Sequence, residues 1–200
     1  MGIKSKSRKT YKKSGNERLD FPRLVTSWNA SRPFEVVTSD TTVLKHKGKM
    51  KDLTLYIDVF NNEIVCYDLG EGKHGSNYRS HMSALQKFLN EKSKRGYKDL
   101  ETFLHTDQGT IYSSRAFQEA HKDYNINRSM SRAGTPTDNP VIESLNRWIK
   151  WELYYDFRFK QSDNIDETIA NYVDYFNNSR FTETLQNKTP VEYRSQLGFN

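Results

Sequence analysis

The sequence predicts an α/β fold in which a mixed five-stranded sheet is flanked by helices. Three observations carry the prediction. Three strand-like segments follow one another before residue 70, separated by turn residues. From Tyr78 onward helical and strand-like segments alternate, which favours parallel pairing through right-handed crossovers. Aromatic residues make up 13% of the 200 residues, enough to fill a modest core although the apolar set AVILMFWYC totals only 34%.

Val36 to Val43 is rich in β-branched residues, bounded by Pro33 and by the basic turn His46-Lys47-Gly48-Lys49, and reads as the first strand. Leu53 to Phe60 alternates, with Leu53, Leu55, Ile57 and Val59 on one side and Thr54, Tyr56, Asp58 and Phe60 on the other. Asn61-Asn62 is a turn signal, and Ile64 to Leu69 is the return strand. Glycine-rich residues 70–75 break the chain. Tyr78 to Lys94 is predicted as a helix with Met82, Leu85, Phe88 and Leu89 at helical spacing. Asp99 to His105 is a short strand, ended by the turn Asp107-Gln108-Gly109. Ser114 opens a second helix with Phe117 and Ala120 on one side, and Ile126 to Met130 is the fifth strand. Ser131 to Pro140 is rich in turn formers and reads as a mobile loop, with Asp138 as the N-cap of the next helix. That helix spans Val141 to Tyr155, and another covers Ile165 to Phe176. The chain ends in a short basic and aromatic segment. This order suits a ribonuclease-H-like architecture.

The net charge is +6, from 31 basic and 25 acidic residues. Lys4, Lys6, Arg8, Lys9, Lys12 and Lys13 account for all of it, because the remainder of the chain is neutral. Residues 1 to about 20 read as disordered or ordered only on binding, and 21–34, with Pro22, Trp28 and Pro33, as a linker. The division expected is a basic tail and linker over 1–34, a core over 35–160 and a helical extension over 161–200. The tail reads either as a solubilising end or as an arm on DNA phosphates. No run approaches the ~18 apolar residues of a membrane helix, and no secretory pattern follows the N-terminus. The single Cys66 excludes an internal disulfide and a cysteine-paired zinc site, and reads as a small buried hydrophobe. A cytoplasmic location is expected.

Phosphodiester chemistry with two metal ions needs carboxylates from separate elements, holding Mg²⁺ ions ~4 Å apart. Two acids stand out. Asp107 ends an apolar strand, where α/β sheets place their ligands, with Gly109 allowing close approach. Its alternative reading is a turn aspartate that satisfies local N–H groups. Glu143 lies in the first turn of the long helix, which buries Ile142, Leu145, Ile149 and Leu153. Arg147 and Lys150 follow it at +4 and +7 on the same face, so it also reads as half of an intrahelical ion pair.

The spacing Asp107-x35-Glu143, in that family's D-35-E notation, and the residues around both acids resemble the catalytic half of bacterial insertion-sequence transposases of the orfB type, which carry a retroviral-integrase-like core. The residues are His105-Thr106-Asp107-Gln108-Gly109 with Tyr112, Ser131-Arg132 with Gly134, and Asp138-Asn139 with Ile142-Glu143-Ser144. The run from Tyr172 to Asn178, then Arg180, Leu185 and Thr189-Pro190-Val191-Glu192-Tyr193, is similar too. The resemblance covers roughly residues 35–194. It implies a first catalytic acid on the first strand in a segment like W-x-[ST]-D-x-T. Val37-Thr38-Ser39-Asp40-Thr41-Thr42 matches, with Val37 in place of tryptophan. Asp58, in Asp58-Val59-Phe60, is the competitor.

What the resemblance implies is a DDE-type polynucleotidyl transferase, a transposase that cuts DNA at an element's ends and joins them to target DNA. Asp40, Asp107 and Glu143 would ligate two Mg²⁺ ions, or Mn²⁺ in their place. Arg147 and Lys150 would contact phosphates, and Asn139, Ser131 and Arg132 would lie in a loop closing over DNA. The expected partners are DNA, further copies of the chain on that DNA, and a helix-turn-helix protein or region from an upstream frame, since the first 35 residues show no such pattern. Association with the nucleoid follows when DNA is bound. The alternatives are a nuclease of the same fold that cuts without joining, and an inactive DNA-binding remnant. His105 is expected to be packed rather than a general base. Trp148 and Trp151 are expected to fill a core or an interface, with base stacking the lesser reading.

Overall fold

The computed structural model describes residues 19–72, 77–132, 135 and 138–199. The basic run over residues 1–13 and Gly134 lie outside the described residues. The sheet has the order β3-β2-β1-β4-β5. Its strands are β1 (Val36–His46), β2 (Lys49–Asp58), β3 (Ile64–Glu71), β4 (Thr102–Thr106) and β5 (Ile126–Met130). β1, β2 and β3 pair antiparallel, while β1–β4 and β4–β5 pair parallel. The helices are α1 (Tyr78–Lys94), α2 (Arg115–Ala120), α3 (Pro140–Tyr155), α4 (Ile165–Asn178) and α5 (Pro190–Gln196).

The first hairpin is longer than the apolar pattern indicates. Lys47 and Gly48 both take positive φ, 44° and 80°, which is the two-residue loop whose twist matches the strands. His46 and Lys49 therefore pair as strand residues.

Both faces of the sheet are covered, so the alternation of β2 separates two cores instead of core from solvent. Tyr56 packs with α1 residues Leu85 and Phe88 and with Phe117 of α2. Leu53, Leu55 and Ile57 pack with Ile142, Ile149 and Leu153 of α3 and with Ile169, Tyr172 and Phe176 of α4. Helix α4, within the expected extension over 161–200, thus shares the sheet's own core.

Residues read as a linker from their composition pack against the sheet. The Leu24 and Val25 N–H groups donate to Ser129 Oγ at 2.9 and 3.1 Å, and Met130 N donates to Pro22 O. Val25, Val36 and Val59 form a small core beneath Trp28. Three other expectations are corrected. The cap of α3 is Asn139, not Asp138, whose carboxylate is held by Arg132. Ala120 is exposed, because α2 is too short to bury more than Phe117. The C-terminal segment holds α5, started by a capping box in which Thr189 and Glu192 satisfy each other's backbone N–H.

Candidate active site

Period two along β1 decides where Asp40 points. Val37, Ser39 and Thr41 face α1: Ser39 Oγ bonds Tyr112 Oη at 2.9 Å, and Thr41 Oγ1 donates to His81 Nε2 at 3.1 Å. Thr38, Asp40 and Leu44 therefore face α3. Thr38 Oγ1 donates to Asn139 Oδ1 at 3.0 Å, and Asn146 Nδ2 donates to Asp40 Oδ2 at 2.8 Å.

The parallel register brings the second acid alongside. Thr38 pairs with His105, so continuing both chains by two residues sets Asp107 beside Asp40. Asp107 also fulfils its alternative reading, since its Oδ1 accepts the Gly109 N–H at 2.8 Å. A Cβ at Gly109 would meet that same oxygen at 2.8 Å, so the glycine makes room for the carboxylate itself.

Glu143 comes from the first turn of α3, where Pro140 fixes the helix start and Ile142 anchors it in the core. Glu143 and Asp40 line one open pocket of about 530 Å³ with Asn146, Arg147 and Lys150. Burial pushes the Asp40 carboxyl up to about 6, and the charges of Asp107 and Glu143 push the same way, against the Thr41 N–H and Lys150. Carboxylates from the end of β4 and from α3 thus act on the one from β1.

The residue types suit a hard divalent cation: oxygen donors on separate elements, with mutual repulsion that a cation relieves. Asn146 Oδ1 is a further buried oxygen, with no hydrogen-bond partner, next to Asp40. Among the described residues, no three Asp, Glu, His or Cys side chains close into a ready-made ligand set. Asp40 and Glu143 share the pocket, and Asp107 stands next to Asp40 without lining it.

Asp58 sits elsewhere. It is fully buried, and its two oxygens accept the Phe34 and Phe60 N–H groups at 2.8 and 3.0 Å. Burial pushes its carboxyl up to about 7.

Two of the five residues expected at DNA, Arg147 and Lys150, line the pocket. The other three have internal partners. Ser131 is buried, its hydroxyl bonded to His105 Nε2 at 2.9 Å. Asn139 is buried against Thr38. Arg132 reaches Asp138 through both Nε and a terminal nitrogen, at 2.8 and 2.9 Å, and holds that carboxyl well below the usual range. His105 is packed as expected: its other nitrogen meets Ser129 Oγ at 2.9 Å, and burial pushes its pKa down to about 4. Trp148 and Trp151 do not fill a core, being 51% and 50% exposed on α3. Asn146 is the functional candidate that sequence reading misses. Its only signal is a polar residue at +3 from Glu143, on the inward side of an otherwise apolar helix face.

The integrase core domain family matches residues 30–136, and a second integrase core domain description matches 143–197. The chain belongs to the integrase core family. One relative is the putative transposase InsK for insertion sequence element IS150 of Escherichia coli, 32% identical over 86% of this chain and 59% of the relative. The chain therefore spans little more than half of that protein. Another is the transposase for insertion sequence element IS904 of Lactococcus lactis, 29% identical over 96% of this chain and 76% of the relative. Among solved structures, the HTLV-2 integrase catalytic core domain in complex with magnesium superposes with a TM-score of 0.62. That match has 20% identity and covers 83% of this chain and 99% of that one. A chain of the simian T-cell lymphotropic virus intasome gives 0.69, at 20% identity, over 94% of this chain and 61% of that one. The fold of this integrase core is the ribonuclease-H-like one of the retroviral enzymes. Among the described residues no helix is long and apolar enough to cross a membrane.

Proposed function

We propose that this chain is the catalytic portion of an insertion-sequence transposase, cutting DNA at element ends and joining them to target DNA, with Asp40, Asp107 and Glu143 as its metal-binding acids. The supporting observation is that Asp40 and Glu143, from separate elements, line one open pocket with the basic Arg147 and Lys150, while Asp107, beside Asp40 in the β1–β4 register, acts on the same carboxylate.

A pair of divalent cations, Mg²⁺ or Mn²⁺, would supply charge neutralisation and a more acidic attacking hydroxyl when bound there. Asp40, Asp107 and Glu143 offer the oxygens. Asn146 holds the Asp40 carboxylate in one orientation. Arg147 and Lys150 bind and orient the phosphate that enters the pocket, and being cations on the helix that carries Glu143, they fix the scissile bond relative to it. Arg132, Ser131 and Asn139 keep the segment before α3 in place through Asp138, His105 and Thr38. The catalytic work falls to residues 35–160, with 161–200 completing the core behind α3. DNA ends, target DNA and further copies of the chain are the partners, with a helix-turn-helix region from an upstream frame reading the end sequence, and the bacterial cytoplasm, at the nucleoid, is the setting.

The test is an oligonucleotide assay with Mg²⁺ or Mn²⁺, using the ends of the element that encodes the chain. Joined products are expected, and Asp40→Asn, Asp107→Asn and Glu143→Gln should each abolish them while DNA binding persists. Cut but unjoined products would indicate the nuclease alternative. Full activity in Asp40→Asn, with loss in Asp58→Asn, would overturn the choice of acids.

A further inference from the structure

Asn146 carries more than a tether requires. A carboxylate only accepts hydrogen bonds, so the amide must turn its NH₂ towards Asp40, and it does so at 2.8 Å. That choice fixes where the other end of the amide goes. Oδ1 is left buried with no hydrogen-bond partner, in a residue that is 8% exposed. Buried carbonyl oxygens are normally paired, so an orphan one marks a group that is satisfied by something else.

Asn146 itself lines the pocket with Asp40, Glu143, Arg147 and Lys150, and its orphan oxygen is buried at that wall. Asn146 follows Glu143 by three residues and precedes Lys150 by four, so the three project from neighbouring positions on α3. An amide oxygen is a hard, neutral donor of the kind that divalent cations accept beside carboxylates. It also adds no negative charge to a pocket already holding mutually repelling acids.

We infer that Asn146 Oδ1 is a further oxygen in the coordination shell of the divalent cation shared with Asp40. The amide would hold the metal-free carboxylate through its nitrogen and the loaded site through its oxygen. This rests on the reading of Asp40 as a metal ligand.

The experiment uses the full chain and Mn²⁺ alone as the probe, with binding read by titration calorimetry and by the rise in melting temperature. Asn146→Ala should weaken Mn²⁺ binding by about 10- to 100-fold, the range seen when supporting groups of a metal site are removed. Its strand-joining rate should recover as Mn²⁺ is raised, so the metal concentration for half-maximal rate moves more than the rate at saturation. Asn146→Asp, which keeps an oxygen, should bind Mn²⁺ at least as tightly as the native chain. Unchanged Mn²⁺ affinity in Asn146→Ala overturns the inference, and so does a loss of joining that no Mn²⁺ concentration restores. If Asn146→Ala melts too low to titrate, Asn146→Ser decides, since its shorter side chain withdraws the carbonyl while filling part of the space. Asp40→Asn separates the two ideas. Loss of Mn²⁺ binding there, without an effect at Asn146, sinks this inference alone, whereas Mn²⁺ binding that survives Asp40→Asn sinks the assignment of the acids.

Discussion

Asp40→Asn should abolish strand joining and at the same time stabilise the metal-free protein. The Asp40 carboxyl is raised from an ordinary 3.8 to about 6, by burial first and then by Asp107 and Glu143. A raised folded-state value means that folding favours the protonated form. The corresponding stability is complete below the unfolded value near 3.8 and is lost as pH rises through about 6. Above that window the ionised carboxylate is a cost. At about 1.4 kcal/mol per unit its ceiling is about 3 kcal/mol, which partial exposure reduces to ~1–2 kcal/mol. Asparagine has no charge to bury, and its Oδ1 can still accept from Asn146 Nδ2. For a chain of this size the gain corresponds to a melting temperature ~2–8 °C higher. The assay is thermal unfolding followed by circular dichroism, with a chelator present, at a mildly alkaline pH and again near pH 4. The difference should be present in the first and vanish in the second. Added Mn²⁺ should stabilise the native chain and leave the variant unmoved. A variant equally or less stable than the native chain at alkaline pH would refute the account of mutual repulsion. This is the trade of stability against activity that a charged, desolvated site imposes.

Asp58→Ala should behave in the opposite way: it strands the buried Phe34 N–H and the half-buried Phe60 N–H, costing about 2–4 kcal/mol in urea unfolding, while protein that remains folded still joins DNA. His105 is held neutral by burial, with its pKa lowered to about 4, so its contribution is full above the ordinary value of 6.5 and is lost as pH falls towards 4. His105→Gln should flatten the fall in urea midpoint across that window, and an unchanged slope would remove His105 as its cause. Arg147→Ala and Lys150→Ala should each weaken DNA binding regardless of sequence and lower the slope of log affinity against log salt by about 1, whereas a change confined to particular sequences would contradict phosphate contact.

The sheet was readable from the sequence because its signals are local. Period two in β2, the Asn61-Asn62 turn and the helical spacing of Leu85, Phe88 and Leu89 need no distant partner. The capping box of α5 was equally present in Thr189-Pro190-Val191-Glu192, although the proline-led segment is too short to show a helical period. The three candidate acids were proposed from the segments around them, Asp107 after a strand, Glu143 in the first turn of a helix, and Asp40 in mid-strand through the family resemblance. The arm over residues 19–34 was not, since its backbone is held by Ser129, about a hundred residues away in the chain.

The sequence by itself determined the ingredients of the sheet order and supplied the candidate acids with the basic pair after Glu143. Only the tertiary structure decided which side chains those groups meet. Ser131 and Asn139 read as loop residues available to DNA, yet His105 and Thr38 take them into the interior. Asn146 drew no reading from the sequence, yet the packing of α3 across β1 sets it on Asp40, 106 residues earlier. Backbone periodicity is written in neighbouring residues, whereas the partner of a buried polar group depends on which elements the folded core presses together.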